Sequence, residues 1–156
     1  MAPSDTPDPD RSDTNATLRT WAKGLYSSEA ATELLIRAFG GRFAEPHWPW
    51  IHQESDGQTW VEFDAIPDNI GRLSGGERRV LTFVAGLGAS APIDLADVVS
   101  GLGRDNVALL LAALSHAAGT QEQVEYIPTP TSDGVPVLDP TSPRLNLGPL
   151  CQWPEP

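Results

Sequence analysis

Apolar positions in this chain fall into two rhythms, and the changes between them mark the elements. Leu18, Trp21, Ala22 and Leu25 recur at helical spacing and predict a short helix over Thr17 to Tyr26. Ser27 or Ser28 can cap a second helix, because a hydroxyl there accepts a free amide of the first turn. In that helix Ala31, Leu34, Leu35, Ala38 and Phe39 keep one apolar stripe until Gly40-Gly41 ends it. The rhythm then shortens to two. Trp48 to Gln53 and Thr59 to Ile66 predict paired strands turned by Ser55-Asp56-Gly57, since Asp-Gly tolerates the positive φ of a tight hairpin. Alternation puts Thr59, Val61, Phe63 and Ala65 on the inner face and Trp60, Glu62, Asp64 and Ile66 on the outer one.

Helical spacing returns at Ser74, which with Glu77 has the S-x-x-E spacing of a capping box. Val80, Leu81, Val84 and Leu87 make the stripe of this helix, and Gly86 and Gly88 weaken its far end. After an extended piece, Ala91 to Ile93, Asp94 caps a helix reaching about Ser100, with Leu95, Val98 and Val99 apolar. Gly101-Leu102-Gly103 turns the chain into a last helix from about Arg104 to Ala118, stopped by Gly119. Val107, Leu110, Leu111 and Leu114 are its expected inward residues. Leu109, Ala112 and His116 would then face a partner or another part of the chain. Val124 to Ile127 and Val135 to Leu138 are expected to pair loosely around Ser132-Asp133-Gly134, at an edge because Pro128, Pro130 and Pro136 cannot donate ladder bonds. The pattern amounts to an α+β fold, mostly helical: an N-terminal helix pair, a β-hairpin and a trihelical unit, in a single domain over residues 17–138.

Composition adjusts the ends of that picture. Prolines concentrate in the first ten residues and beyond Ile127, so residues 1–16 are expected to be a disordered tail. Residues 139–156 are expected to be a Pro-rich tail that folding does not need. The net charge of -11 is uneven: residues 45–70 hold Glu45, Glu54, Asp56, Glu62, Asp64 and Asp68 with no Lys or Arg. Such acidity repels phosphate backbones at long range. No apolar run reaches the roughly 18–20 residues a membrane span needs, and no signal-peptide pattern opens the chain. The single cysteine, Cys151, excludes an internal disulfide, so a cytoplasmic protein without membrane association is expected.

Leu73-Ser74-Gly75-Gly76-Glu77 resembles the signature loop of ABC-type ATPases, in which amides at a helix start hold a nucleotide's phosphate. The resemblance stops at Glu77. No Gly-rich loop ending in Gly-Lys-Ser/Thr accompanies it, and Lys23, the only lysine, has no glycines before it. The stretch is therefore read as a capped helix start, and neither a nucleotide nor any other cofactor is expected.

The order of elements from Ser74 to Leu138 resembles the winged-helix domain of bacterial regulators. Ile93 to Gly103 corresponds to its second helix and turn, and Arg104 to Gly119 to its recognition helix. The resemblance implies a third helix in the DNA major groove and a wing along the backbone. It would turn Arg104, Asp105, Asn106, Ala108, Leu109, Ala112, Ser115 and His116 toward the groove, with Arg78 and Arg79 as further DNA contacts. Asn106 can read adenine. Among the groove positions only Arg104 carries a fixed positive charge, whereas a DNA reader uses several Lys, Arg, Ser or Thr contacts to fix its register.

Trp48 and Trp50 flank Pro49, and Trp60 lies on the outer strand face; the cluster either closes the core or forms an exposed aromatic patch with an acidic rim. Glu45, His47, His52 and Glu54 are close in sequence, but their spacing matches no metal-hydrolase motif and no metal is expected. No Gly-x-Ser-x-Gly elbow occurs, and Cys151 has no basic residue nearer in sequence than Arg144, so no catalytic residue is expected. The leading expectation is a non-enzymatic protein-binding or regulatory module in an assembly. It would contact another protein, or itself, through Trp48, Trp50, Trp60, Leu109, Ala112 and His116. The alternative is a DNA-binding winged-helix regulator using Arg104, Asn106, Arg78 and Arg79, and a nucleotide- or metal-dependent enzyme comes third.

Overall fold

The computed structural model describes residues 9–156. The fold is α+β and mostly helical. Helices α1 (Pro9–Ala22) and α2 (Tyr26–Arg37) make the N-terminal pair. α1 starts well before Thr17, so part of the stretch expected to be a disordered tail is helix. Thr14 there is buried, and the Arg11 guanidinium bonds the Gly40 carbonyl and lies 3.7 Å from the Glu45 carboxylate. Residues 1–8 of that expected tail lie outside the described residues. Gly24, at φ 108°, turns the chain after α1, which is why Leu25 and Tyr26 leave the helix that their spacing assigned them to.

The end of α2 is abrupt. A 3-10 segment over Ala38–Ala44 contains Phe39, Gly40 and Gly41 at φ 52°, 66° and 76°. A Cβ on Gly41 would stand 2.6 Å from the Ile36 carbonyl oxygen, so only glycine fits. Strands β1 (Ile51–Gln53) and β2 (Thr59–Val61) then pair antiparallel, Ile51 opposite Val61, across the expected Asp56-Gly57 turn. Both strands are shorter than the alternation suggested. Beyond Val61 the chain winds into a 3-10 turn, Phe63–Ala65, and helix α3 (Ile66–Asn69). That change of period carries Ile66, expected on the outer face, into the core, while Thr59, Val61 and Phe63 are buried as expected.

α4 (Gly75–Ala89) opens on the capping box: the Glu77 amide donates to Ser74 Oγ at 3.4 Å and the Ser74 amide to the Glu77 carboxylate at 3.0 Å. Val80, Leu81, Phe83 and Val84 are buried from it. α5 (Leu95–Val99) is capped by Asp94, which accepts the Asp97 amide at 3.1 Å; it buries Val98 and leaves Leu95 and Val99 exposed. α6 (Arg104–Ala117) packs chiefly on α2, which also carries α4 and α1.

The inward face of α6 differs from the expected one. Leu110, Ala112, Ala113 and Ser115 are buried, whereas Leu111 and Leu114 are 49% and 45% exposed and Val107 is half-buried. Residues 107–114 are apolar without a break, so no polar side fixes the rotation of the helix. Small side chains decide it, because they let two backbones approach closely while larger ones at the same seam would hold them apart.

After a 3-10 turn (Thr120–Glu122) come β3 (Val124–Tyr126), β4 (Thr129–Pro130), β5 (Pro136–Val137) and β6 (Arg144–Asn146). β4 pairs with β5 around Gly134, and β3 pairs with β6, Glu125 opposite Leu145. The expected pairing of Val124 to Ile127 with Val135 to Leu138 is thus replaced by a longer, interrupted arm. Pro128 and Pro136 carry no N–H to continue a ladder between those segments.

The C-terminal residues return to the helices. The Leu150 amide donates to Thr120 Oγ1 at 3.1 Å and the Cys151 amide to Ser115 Oγ at 2.9 Å. The Thr120 hydroxyl donates to the Ser115 carbonyl at 2.9 Å, which leaves the Ser115 hydroxyl to donate to Thr120 Oγ1 at 2.6 Å. This closed hydroxyl pair joins both ends of the arm to α6. Beyond it, Arg37 donates to the Pro154 carbonyl at 2.9 Å and its guanidinium lies 5.4 Å from the centre of the Trp153 ring. The domain limit expected near Leu138 is therefore too early. Proline lowers the entropy that an extended segment loses on docking, so a Pro-rich composition is compatible with a fixed strap. No helix among the described residues is long and apolar enough to cross a membrane.

Two outcomes follow for stability. Deleting residues 148–156 should lower the unfolding free energy by roughly 2–4 kcal/mol, from the packing of Trp153 and the lost hydrogen bonds; denaturant unfolding of the shortened chain measures it, and an unchanged midpoint would show that the strap contributes nothing. Ser74→Ala should cost about 0.5–2 kcal/mol, the ordinary worth of an N-cap.

Candidate functional site

Three surfaces carry the residues on which function can rest. The first is aromatic. Trp50 is wholly buried, its indole N–H donating to the Phe43 carbonyl at 2.8 Å, and Trp48 stacks on it with ring centres 4.8 Å apart and 12° between planes. β1 begins only at Ile51, so Trp48 and Trp50 sit in the turn before it and do not alternate along a strand face. Trp50 is thus core and not a partner-facing residue. Trp60 is different: half-buried, it stacks on His52 at 5.2 Å and 17°. His52 Nε2 lies 2.7 Å from the Glu62 carboxylate, across the hairpin. Trp21 of α1, Trp60, Glu62 and Asp64 border one cleft of about 550 Å3. His47 stands apart, 3.4 Å from Glu45, and Glu54 is exposed. Among the described residues no group of three His, Cys, Asp or Glu side chains could hold a metal ion.

The second surface is the seam of α2, α6 and the strap. Ala112 is fully buried there, so it presents nothing to a partner, because α6 is rotated from the expected face. Leu109 is half-buried and borders a groove of about 770 Å3 with Asp105, Ala108 and the chain end at Pro154, Glu155 and Pro156. His116 is engaged within the chain: Nε2 lies 2.7 Å from the Glu29 carboxylate, and the ring sits 6.3 Å from that of Tyr26 and 6.2 Å from that of Trp153. Burial pushes the Glu29 carboxyl up, but the Gly24 amide and His116 hold it below its ordinary range. Glu33, one turn on, behaves alike. Burial raises it, and the hydrogen bonds from Arg19 and Arg37 outweigh that and hold it low. The Glu33 hydrogen bond in turn raises Arg19.

Of the basic positions, Arg104 and Arg78 are exposed, and Asn106 beside Arg104's turn is half-buried. Arg79 donates from Nε to the Asp97 carbonyl at 3.0 Å, tying α4 to α5. These residues lie on different helices, and Asp105 is exposed next to Arg104.

The third surface is the arm. Every residue from Glu122 to Leu147 is exposed except Ser142. Directly opposed residues in an antiparallel pair share a face. One face of the β3–β6 pair therefore carries Val124 and Tyr126 with Asn146 and Arg144, the guanidinium lying 5.6 Å from the Tyr126 ring centre. The other carries Leu145 opposite Glu125, flanked by Ile127 and Leu147. Among the described residues no third strand joins either pair.

Sequence reasoning had singled out neither Leu145 and Leu147 nor Trp153. The alternation Leu145-Asn146-Leu147 is the signal for β6, and the neighbouring prolines, which point to an unstructured tail, mask it. Comparison with protein-family models, with curated proteins and with solved structures finds no match to this chain.

The Glu33 cluster sets a pH dependence. Its carboxyl is lower in the folded chain than the ordinary 4.5 it has when unfolded. The stability it contributes is accordingly complete above pH 4.5 and lost as pH falls through the lower, folded value. Glu33→Gln should lose roughly 1–3 kcal/mol at pH 7 and flatten this acid limb, read from denaturant midpoints across pH. An unchanged acid limb would mean that the Arg19 and Arg37 contacts are not maintained in solution.

Proposed function

We propose that this chain is a non-enzymatic protein-binding module whose contact element is the β3–β6 arm. The observation that carries the reading is the concentration of large apolar side chains on an unsupported hairpin. Tyr126, Ile127, Val137, Leu138, Leu145 and Leu147 are each more than 40% exposed there. A two-stranded pair is marginally stable alone in water, and large apolar side chains left exposed on both of its faces mark a contact element. Both outer edges of the arm also offer unpaired backbone groups, the usual substrate for strand addition.

The occupant is another protein with a basic rim rather than a second copy. Glu122, Glu125, Asp133 and Asp139 face Arg144 alone along the arm, within a chain of net charge -11, so two arms would meet with like charge. Leu111 and Leu114 on α6 are exposed as well. The alternative reading, a DNA-binding regulator, draws less support, since the outward face of α6 presents leucines and its cations are few. A reducing, cytoplasmic setting suits a lone Cys151 thiol.

The test places a photo-cross-linking residue at Leu145 in the native cell, with Asp68 as an exposed control. One heterologous polypeptide should be joined at Leu145 and not at Asp68, and amide exchange at 124–126 and 144–146 should slow in the purified complex. Val137→Asp with Leu147→Asp should weaken the complex at least tenfold without moving the unfolding midpoint, on the order expected for losing apolar anchors. Conjugates of the chain with itself would point to self-association, and no conjugate at Leu145 would remove the arm from the interface.

A further inference from the structure

A second site stands independently of the arm, in the cleft between the end of α1, β2 with its following turn, and the end of α4. Its volume is about 550 Å3. Trp21 and Trp60 form walls, Glu62 and Asp64 supply carboxylates, and no Lys or Arg lines it. The Asp64 side chain makes no hydrogen bond or ion pair among the described residues. Trp21 is 44% exposed, a large indole face left to water.

Contacts within the chain orient the walls. His52 stacks on one face of Trp60 and bonds Glu62, which orients an indole and a carboxylate together. Trp21 rests on Phe63, ring centres 6.1 Å apart. Phe63 reaches that place because residue 88 is glycine: a Cβ there would lie 2.2 Å from the Phe63 ring. A cleft of π faces and carboxylates attracts an organic cation with an apolar stem, since ring quadrupole and carboxylate both favour positive charge. A bare metal ion fits poorly, because it needs several converging oxygen or nitrogen ligands.

We propose that the cleft receives an arginine side chain from a polypeptide. The planar guanidinium can lie against an indole while its forked donors reach Asp64, a pairing that an ammonium cannot reproduce. The charge of the lining supports it: Glu62 and Asp64 are its carboxylates, and no Lys or Arg lines it.

The test titrates the full chain, 15N-labelled, and follows the indole N–H signals of its five tryptophans. The probes are acetyl-Gly-Arg-Gly-amide, the same peptide with Lys or with citrulline, and agmatine. The arginine peptide should shift the Trp21 and Trp60 signals saturably, with those of buried Trp50 unmoved. The lysine peptide should bind more weakly, and citrulline, which keeps the shape and loses the charge, should not bind. Asp64→Asn, an exposed change that leaves the fold intact, should weaken binding about fivefold; Trp60→Ala should weaken it at least as much, and Gly88→Ala should alter it through Phe63. Equal binding of arginine and citrulline peptides, or an Asp64→Asn affinity equal to wild type, overturns the proposal. Agmatine binding far more tightly than the peptide overturns the polypeptide source and assigns the cleft to a free amine.

Discussion

Helix α2 meets α1, α4 and α6 at once, and Ala30, Ala31, Thr32, Leu34, Leu35 and Ile36 are all withdrawn from water. Its charged residues form a narrow stripe at four-residue spacing, Glu29, Glu33 and Arg37. A carboxylate pressed against so much packed surface must find partners or lose its charge. Arg19 comes from α1, His116 from α6 and Trp153 from the C-terminal strap, all to this one stripe. The arrangement of elements around α2 is thus settled twice, by the apolar faces it covers and by the few acids it leaves.

The same economy explains where apolar surface is left over. α6 buries Leu110, Ala112 and Ala113, and Leu111 and Leu114 turn outward. The arm adds more exposed apolar area but no core, since neither of its faces meets a helix or third strand among the described residues. The Trp60 cleft is of another kind. It pairs indoles with carboxylates, whereas the arm exposes leucines and has no helix or third strand behind it among the described residues. These two surfaces ask for different chemistry from whatever meets them.

Much of the fold was legible because local signals and tertiary demands agreed. The Ser74–Glu77 box, the Asp94 cap and the Asp56-Gly57 turn each have a mechanism confined to a few residues, and each is present, whereas α2 ends at Arg37, before Ala38 and Phe39 and the Gly40-Gly41 pair expected to stop it. Failures came where the pattern was silent or where distance decided. An unbroken apolar run over residues 107–114 cannot say which side faces α2. Ile66 entered the core because a strand became a helix within one turn. The strap was hidden because its partners, Ser115, Thr120 and Arg37, lie far away in sequence. Of the candidate site residues, Trp60 lines a cleft, whereas Trp50 and Ala112 proved to be packing residues. Trp21 and Asp64 joined Trp60 only through the approach of α1 to β2.

The hydroxyl pair of Ser115 and Thr120 joins the root of the arm to its return, so a stretch of about 30 residues leaves and re-enters the helical body at a single point. The entropy of closing such a loop rises only slowly with its length. Residues added to or removed from the arm therefore change the cost of closing it only slightly and leave the anchoring hydroxyl pair where it is.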